Sequence, residues 1–167
     1  MDKIHLIKNV LADDERKKLI ADSRPLLKHG KQLSEYFKTD NKFPGKQTFS
    51  DLYLNSKFTF SFNHMVDMIL RETGLNLEIK GAWVNWTNGK KKDIAWHSHN
   101  RHDYALVYYM KTFPFFSNGT LFREPIGFVK APQNSLILFP GRLEHTAPSS
   151  LFRFSRYTVA INLNIRT

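Results

Sequence analysis

The spacing of apolar residues changes character at about Leu75, and that change limits the folds open to this chain more than any other feature. Before it, apolar positions recur mostly at helical spacing; after it they alternate along the chain. Six successive segments read as strands: LNLEIKGAWVNW (75–86), DYALVYYMKT (103–112), GTLFRE (119–124), IGFVKA (126–131), SLILFPG (135–141) and RYTVAINLNI (156–165). Turn signals separate them at Asn88-Gly89, Asn118-Gly119, Pro125, Pro132, Pro140-Gly141 and Pro148.

Ahead of the switch, IHLIKNV reads as a short strand. LADDERKKLIADSRPLLK then reads as a helix, with Asp13, Asp14 and Glu15 at its positive end and Pro25 ending or kinking it. Residues 30–56 suggest an irregular segment or a short hairpin. A second helix is expected from about Phe58 to Thr73, with Phe62, Met65, Val66, Ile69 and Leu70 on one side and Gly74 as its stop. Two helices followed by antiparallel strands predict an α+β domain, mainly β, built as a sandwich or jelly-roll barrel with the helices supporting the larger sheet. The expected organisation is one domain over 1–167, with 1–74 as the N-terminal strand and helices and 75–167 as the β core.

Composition narrows the functions. The 14 Phe, 6 Tyr and 3 Trp suit an aromatic-rich β core. Without cysteine, disulfides, thiolate metal sites and a thiol nucleophile are excluded. No apolar run approaches the roughly 18 residues of a membrane span, and MDKIHLIKNV lacks a signal peptide's cleavage site. A soluble, cytoplasmic protein is expected. The net charge of +10, densest at Lys90-Lys91-Lys92, fits either a solvated turn or attraction to an anionic partner. No nucleic-acid motif accompanies it.

The segment WHSHNRHDY (96–104) holds three of the 7 histidines. Residues i and i+2 of a strand share a face, so His97 and His99, at the end of a predicted strand, are placed to converge on one ion. The third ligand is expected from another strand, at His145 in LILFPGRLEHTAPSS. Nitrogen donors, alone or with a carboxylate, suit a first-row metal such as iron with open positions for substrate. The spacing by itself equally allows a solvent-exposed pair on a polar loop.

With Asn85, Gly89, His97-Ser98-His99, Tyr108-Tyr109, Phe139-Pro140, His145, Arg156 and Asn162 in this order, residues 75–167 resemble the Fe(II)- and 2-oxoglutarate-dependent oxygenases. The similarity is greatest to a small subgroup common in phages and marine bacteria. NVLADDERKKLI further resembles the opening of prolyl-hydroxylase-like members. The resemblance implies a double-stranded β-helix (a jelly-roll or cupin-like barrel) holding iron at its mouth. It further implies 2-oxoglutarate and dioxygen as co-substrates, and oxidative decarboxylation to succinate coupled to oxidation of a primary substrate. On this reading the metal ligands are His97, His99 and His145. His99 stands where the family carries a carboxylate, and Asp103 is the alternative ligand. Arg156 would pair with the distal carboxylate of 2-oxoglutarate through its guanidinium fork. Tyr109 would donate a hydroxyl to the same carboxylate, and Asn85 would contact the co-substrate. A phage-encoded member would work in the host cytoplasm.

Two other readings stay open at the level of sequence. One is a cupin-like metalloprotein that does not use 2-oxoglutarate and so does not need Arg156. The other is a non-catalytic barrel binding an anionic partner. The primary substrate is not legible, since substrate contacts come from loops such as 30–56 and 113–119.

Overall fold

The alternation in RYTVAINLNI sorts its side chains onto two faces. Tyr157, Val159, Ile161 and Leu163 enter the main hydrophobic core, while Thr158, Ala160 and Asn162 line a cavity on the other side. The computed structural model describes residues 3–37, 43–88, 95–113, 118–148 and 154–167. Its helices are α1 (Asp13–Ser23), α2 (Gly30–Phe37) and α3 (Ser56–Thr73). Its strands are β1 (His5–Lys8), β2 (Lys28–His29), β3 (Lys46–Gln47), β4 (Leu77–Thr87), β5 (Tyr104–Lys111), β6 (Gly119–Phe122), β7 (Phe128–Lys130), β8 (Ser135–Pro140), β9 (His145–Thr146) and β10 (Arg156–Ile165).

Seven strands form one sheet in the order β1-β8-β5-β10-β4-β3-β2, and a smaller sheet runs β7-β6-β9. Every ladder is antiparallel. The architecture is a double-stranded β-helix with N-terminal helices against the outer face of the larger sheet, as the sequence predicts. Each central strand divides its residues between two cores. Leu106, Tyr108 and Met110 of β5 and Leu136 and Leu138 of β8 face the helices; Tyr109, Ile137 and Phe139 face the smaller sheet.

The helices are held by apolar burial and by end groups. α3 buries Phe58, Phe62, Met65, Val66 and Ile69, and covering each such side chain is worth about 1.5–3 kcal/mol. The Asn55 side chain accepts from the Lys57 amide at 3.1 Å at its start. Gly74, at φ 76°, closes the other end by donating to Leu70 O at 2.9 Å. Arg16 of α1 is buried and donates to Met110 O at 2.8 Å, fixing that helix to β5.

Three local details refine the sequence expectation. The first helix stops at Ser23 and continues as a 3-10 turn over Arg24–Leu26, because Pro25 lacks the N–H that another α-turn needs. Among the described residues of 30–56 only β3 is a strand, and it pairs antiparallel with β2, which precedes that segment, with α2 between the two. Finally, His145 belongs to a two-residue strand, too short to alternate visibly. The run Lys90–Lys92 and residues 114–117 of the Phe113–Gly119 loop lie outside the described residues.

Candidate metal centre

Three imidazoles meet at one end of the cavity. Single ring nitrogens of His97, His99 and His145 all lie within 4.8 Å of one another, and the ring centroids are 4.4–5.3 Å apart. β4 ends at Thr87, and among the described residues the backbone next pairs at His97. There it forms an isolated antiparallel bridge with His145.

The rings are pre-set for ligation. His97 Nδ1–H donates to Ala95 O at 2.8 Å, and His145 Nδ1–H donates to Leu143 O at 2.9 Å. A backbone carbonyl only accepts, so each ring carries its proton on Nδ1 and offers the Nε2 lone pair. Such outer hydrogen bonds orient metal-binding histidines and raise their basicity. Burial keeps two of the three neutral. His99 is lowered to about 3 by burial and by the charges of nearby His145, His97 and His102, and His145 to about 4 by burial and His97. Three convergent nitrogen donors could hold a divalent first-row metal. The donor set fits the ion that the resemblance implies.

The cavity extends from these rings over about 610 Å³. Arg156, Thr120, Thr146 and Thr158 line one part; Leu33, Phe43, Pro44 and Trp83 line another. Arg156 has no carboxylate partner among the described residues, and burial lowers its pKa while the neighbouring Tyr109 opposes that shift. Its guanidinium carbon lies 5.6 Å from the centre of the Tyr109 ring. A guanidinium without a counter-charge beside hydroxyl groups has the chemistry to bind a carboxylate.

The other expected residues are placed as follows. Asn85 lines the cavity, and its Oδ1 accepts from Gln47 Nε2 at 2.6 Å. Tyr109 is fully buried behind the cavity wall and its hydroxyl is 2.5 Å from Thr120 Oγ1. Asp103 is exposed and its Oδ2 accepts from the Ile165 amide at 2.8 Å, so it anchors the end of β10 apart from the three imidazoles. His102 likewise turns away, with Nδ1 3.3 Å from Asn164 Oδ1. Of the three tryptophans, Trp83 stacks in tilted fashion 5.9 Å from His99, while Trp86 packs against the main core and Trp96 lies under Arg123.

Sequence reasoning passed over the threonines. Thr158 lies two residues beyond Arg156 on one strand, so a period of two from Arg156 would have found it. Thr120 and Thr146 come from the smaller sheet and carry no local signal.

No protein-family model matches the chain, and no curated protein matches it. Solved structures do share its fold. HygX from Streptomyces hygroscopicus, crystallised with nickel and 2-oxoglutarate, is 11% identical with a TM-score of 0.70, over 98% of this chain and 83% of that one. EctD from S. alaskensis with bound Fe is 14% identical at a TM-score of 0.65, over 98% and 73%. The viral collagen prolyl hydroxylase from Paramecium Bursaria Chlorella virus-1 is 12% identical at 0.67, over 98% and 90%. The chain therefore has the fold seen in proteins that bind iron and 2-oxoglutarate. Among the described residues, no helix is long and apolar enough to cross a membrane.

Proposed function

We propose that this protein is an iron(II)- and 2-oxoglutarate-dependent oxygenase of the hydroxylase type, with His97, His99 and His145 as its metal ligands. Arg156 carries the reading. It is a walled-in cation without a carboxylate partner among the described residues, in the same cavity as three convergent imidazoles. A metal-binding barrel without 2-oxoglutarate has no use for that charge. The solved relatives with iron or with 2-oxoglutarate bound add support at the level of fold.

Bound iron would supply the oxidising chemistry that couples decarboxylation of 2-oxoglutarate to oxidation of a substrate C–H bond. The chain's own residues do the rest. The Ala95 and Leu143 carbonyls hold the His97 and His145 rings in the ligating tautomer. Arg156 binds the distal carboxylate of 2-oxoglutarate, with the Thr120, Thr146 and Thr158 hydroxyls in the same wall as further donors. Tyr109 supports the guanidinium with its ring face. Asn85 contacts the co-substrate from the opposite strand, and apolar walls of Leu33, Phe43 and Trp83 limit water near the metal.

Anaerobic titration of Fe(II) into the metal-free protein, with and without 2-oxoglutarate, tests this. A visible charge-transfer band that needs both components is expected. Arg156→Met should lose the band while still binding Fe(II), and His145→Ala should lose both. Metal binding with no band in the wild-type protein would instead support a cupin-like metalloprotein that does not use 2-oxoglutarate.

A further inference from the structure

Two of the three ligating imidazoles have their outer nitrogen fixed by a backbone carbonyl; His99 has none. We infer that Asn162 serves as its substitute, a positioning residue whose side-chain oxygen accepts the outer N–H of His99 and turns the other nitrogen toward the metal. This rests on the three-histidine reading proposed above.

The observation behind it is an orphan. Asn162 Oδ1 is buried and hydrogen-bonds nothing, and buried side-chain acceptors are rarely left so without a reason. The His99 ring has no other hydrogen-bond partner among the described residues, and the Asn162 side chain is its neighbour in the lining of the same cavity. The backbone is arranged to present this amide. A register shift between Asn162 and Leu163 re-aims the strand, and the residue paired with Asn162 on β4 is Gly81. Nδ2 of that amide lies 3.9 Å from where a Gly81 Cβ would be, an ordinary contact distance.

The chemistry of the substitution matters as well. A carboxylate at position 99 would need no tautomer control, because either oxygen ligates. An imidazole ligates only through its unprotonated nitrogen, so replacing the carboxylate by histidine creates a need for one acceptor on the far side of the ring. Asn162 meets that need from the neighbouring strand.

The test uses full-length protein, long-range proton–nitrogen NMR of the His99 ring in the metal-free state, and titration with Co(II) alone. In the wild type a single His99 tautomer is expected, protonated on the nitrogen that faces Asn162. Asn162→Leu should give a tautomer mixture and roughly 10–100-fold weaker Co(II) binding, the usual effect of losing an outer hydrogen bond to a ligand. Asn162→Asp, which keeps the acceptor, should restore one tautomer and near wild-type affinity. A His99 tautomer unchanged in Asn162→Leu, or the opposite tautomer in the wild type, overturns the inference. The wild-type measurement stands alone should the Leu variant not fold. A wild type that takes up no Co(II) while its His99 tautomer still depends on Asn162 supports the positioning role and overturns the metal reading.

Discussion

His97 and His145 face each other across an isolated antiparallel bridge, each backbone N–H donating to the other's carbonyl, at 3.1 and 2.9 Å. The same stitching continues on either side. His99 N–H donates to Gly141 O at 2.7 Å, and Gly141 N–H donates to Asp103 O at 2.9 Å. Two ligand-bearing segments far apart in sequence are thus joined through main chain, which fixes ring positions more tightly than side-chain packing alone would.

Gly141 is the point where that clasp is tightest. A Cβ there would lie 2.2 Å from His102 O and 2.7 Å from His99 O, both backbone atoms that cannot swing aside. Gly141→Ala is expected to shift the His99 loop, cost about 1–3 kcal/mol in stability and weaken metal binding at least tenfold. Gly81→Ala is the control, since its Cβ would meet Ser50 O at 3.6 Å, an ordinary contact. Thermal melts and Co(II) titrations of the two variants check this. Equal behaviour of both would show that the clasp does not position the ligands.

The convergent histidines were legible because His97 and His99 sit at i, i+2 spacing in one short segment, and because the apolar run Ser135–Pro140 marked how the chain returns to His145. The long strands were legible because β4, β5 and β10 each send every second residue into the core against the helices, although their other face is largely buried as well. What stayed hidden depends on partners distant in sequence. Among the described side chains of α2, Leu33 alone is fully buried to announce it. Thr120 matters only because β6 brings it to Tyr109, and the Asp103 carboxylate could not be told from a ligand until Ile165 was found to donate to it.

That amide decides what Asp103 does. Asp103→Asn keeps an oxygen for the Ile165 N–H, whereas Asp103→Ala removes it and should cost about 0.5–1.5 kcal/mol, the net worth of one hydrogen bond. Neither change should alter metal stoichiometry or affinity. A loss of bound metal in Asp103→Asn, read by metal analysis after dialysis, would place the carboxylate in the metal site after all.

Tyr109 offers a ring and a hydroxyl, and the structure assigns them different partners. The hydroxyl meets Thr120 and the ring face lies under Arg156. Tyr109→Phe should therefore keep 2-oxoglutarate affinity within a factor of about three, at roughly 1 kcal/mol in stability. Tyr109→Leu removes the platform and should weaken 2-oxoglutarate about fivefold or more, since a desolvated cation–π contact is worth about 1–2 kcal/mol. Equal loss in the two variants would mean that the hydroxyl itself reaches the co-substrate.

Acid should unfold the metal-free protein through its own ligand set. His99 and His145 are held near 3 and 4, against 6.5 for an ordinary histidine. Above pH 6.5 both are neutral whether folded or unfolded, and they contribute no pH dependence. As pH falls below 6.5 the unfolded chain binds protons that the folded one refuses, so stability drops until the folded values are reached. Each imidazole contributes up to about 1.4 kcal/mol per pH unit across that window, less whatever water in the cavity screens. The midpoint of denaturant unfolding, followed in the presence of a chelator, should fall steeply between pH 6.5 and 4. His99→Gln and His145→Gln each remove one titrating ring and should flatten that fall. Profiles parallel to wild type in both variants would mean that the rings are solvated and not held neutral by burial.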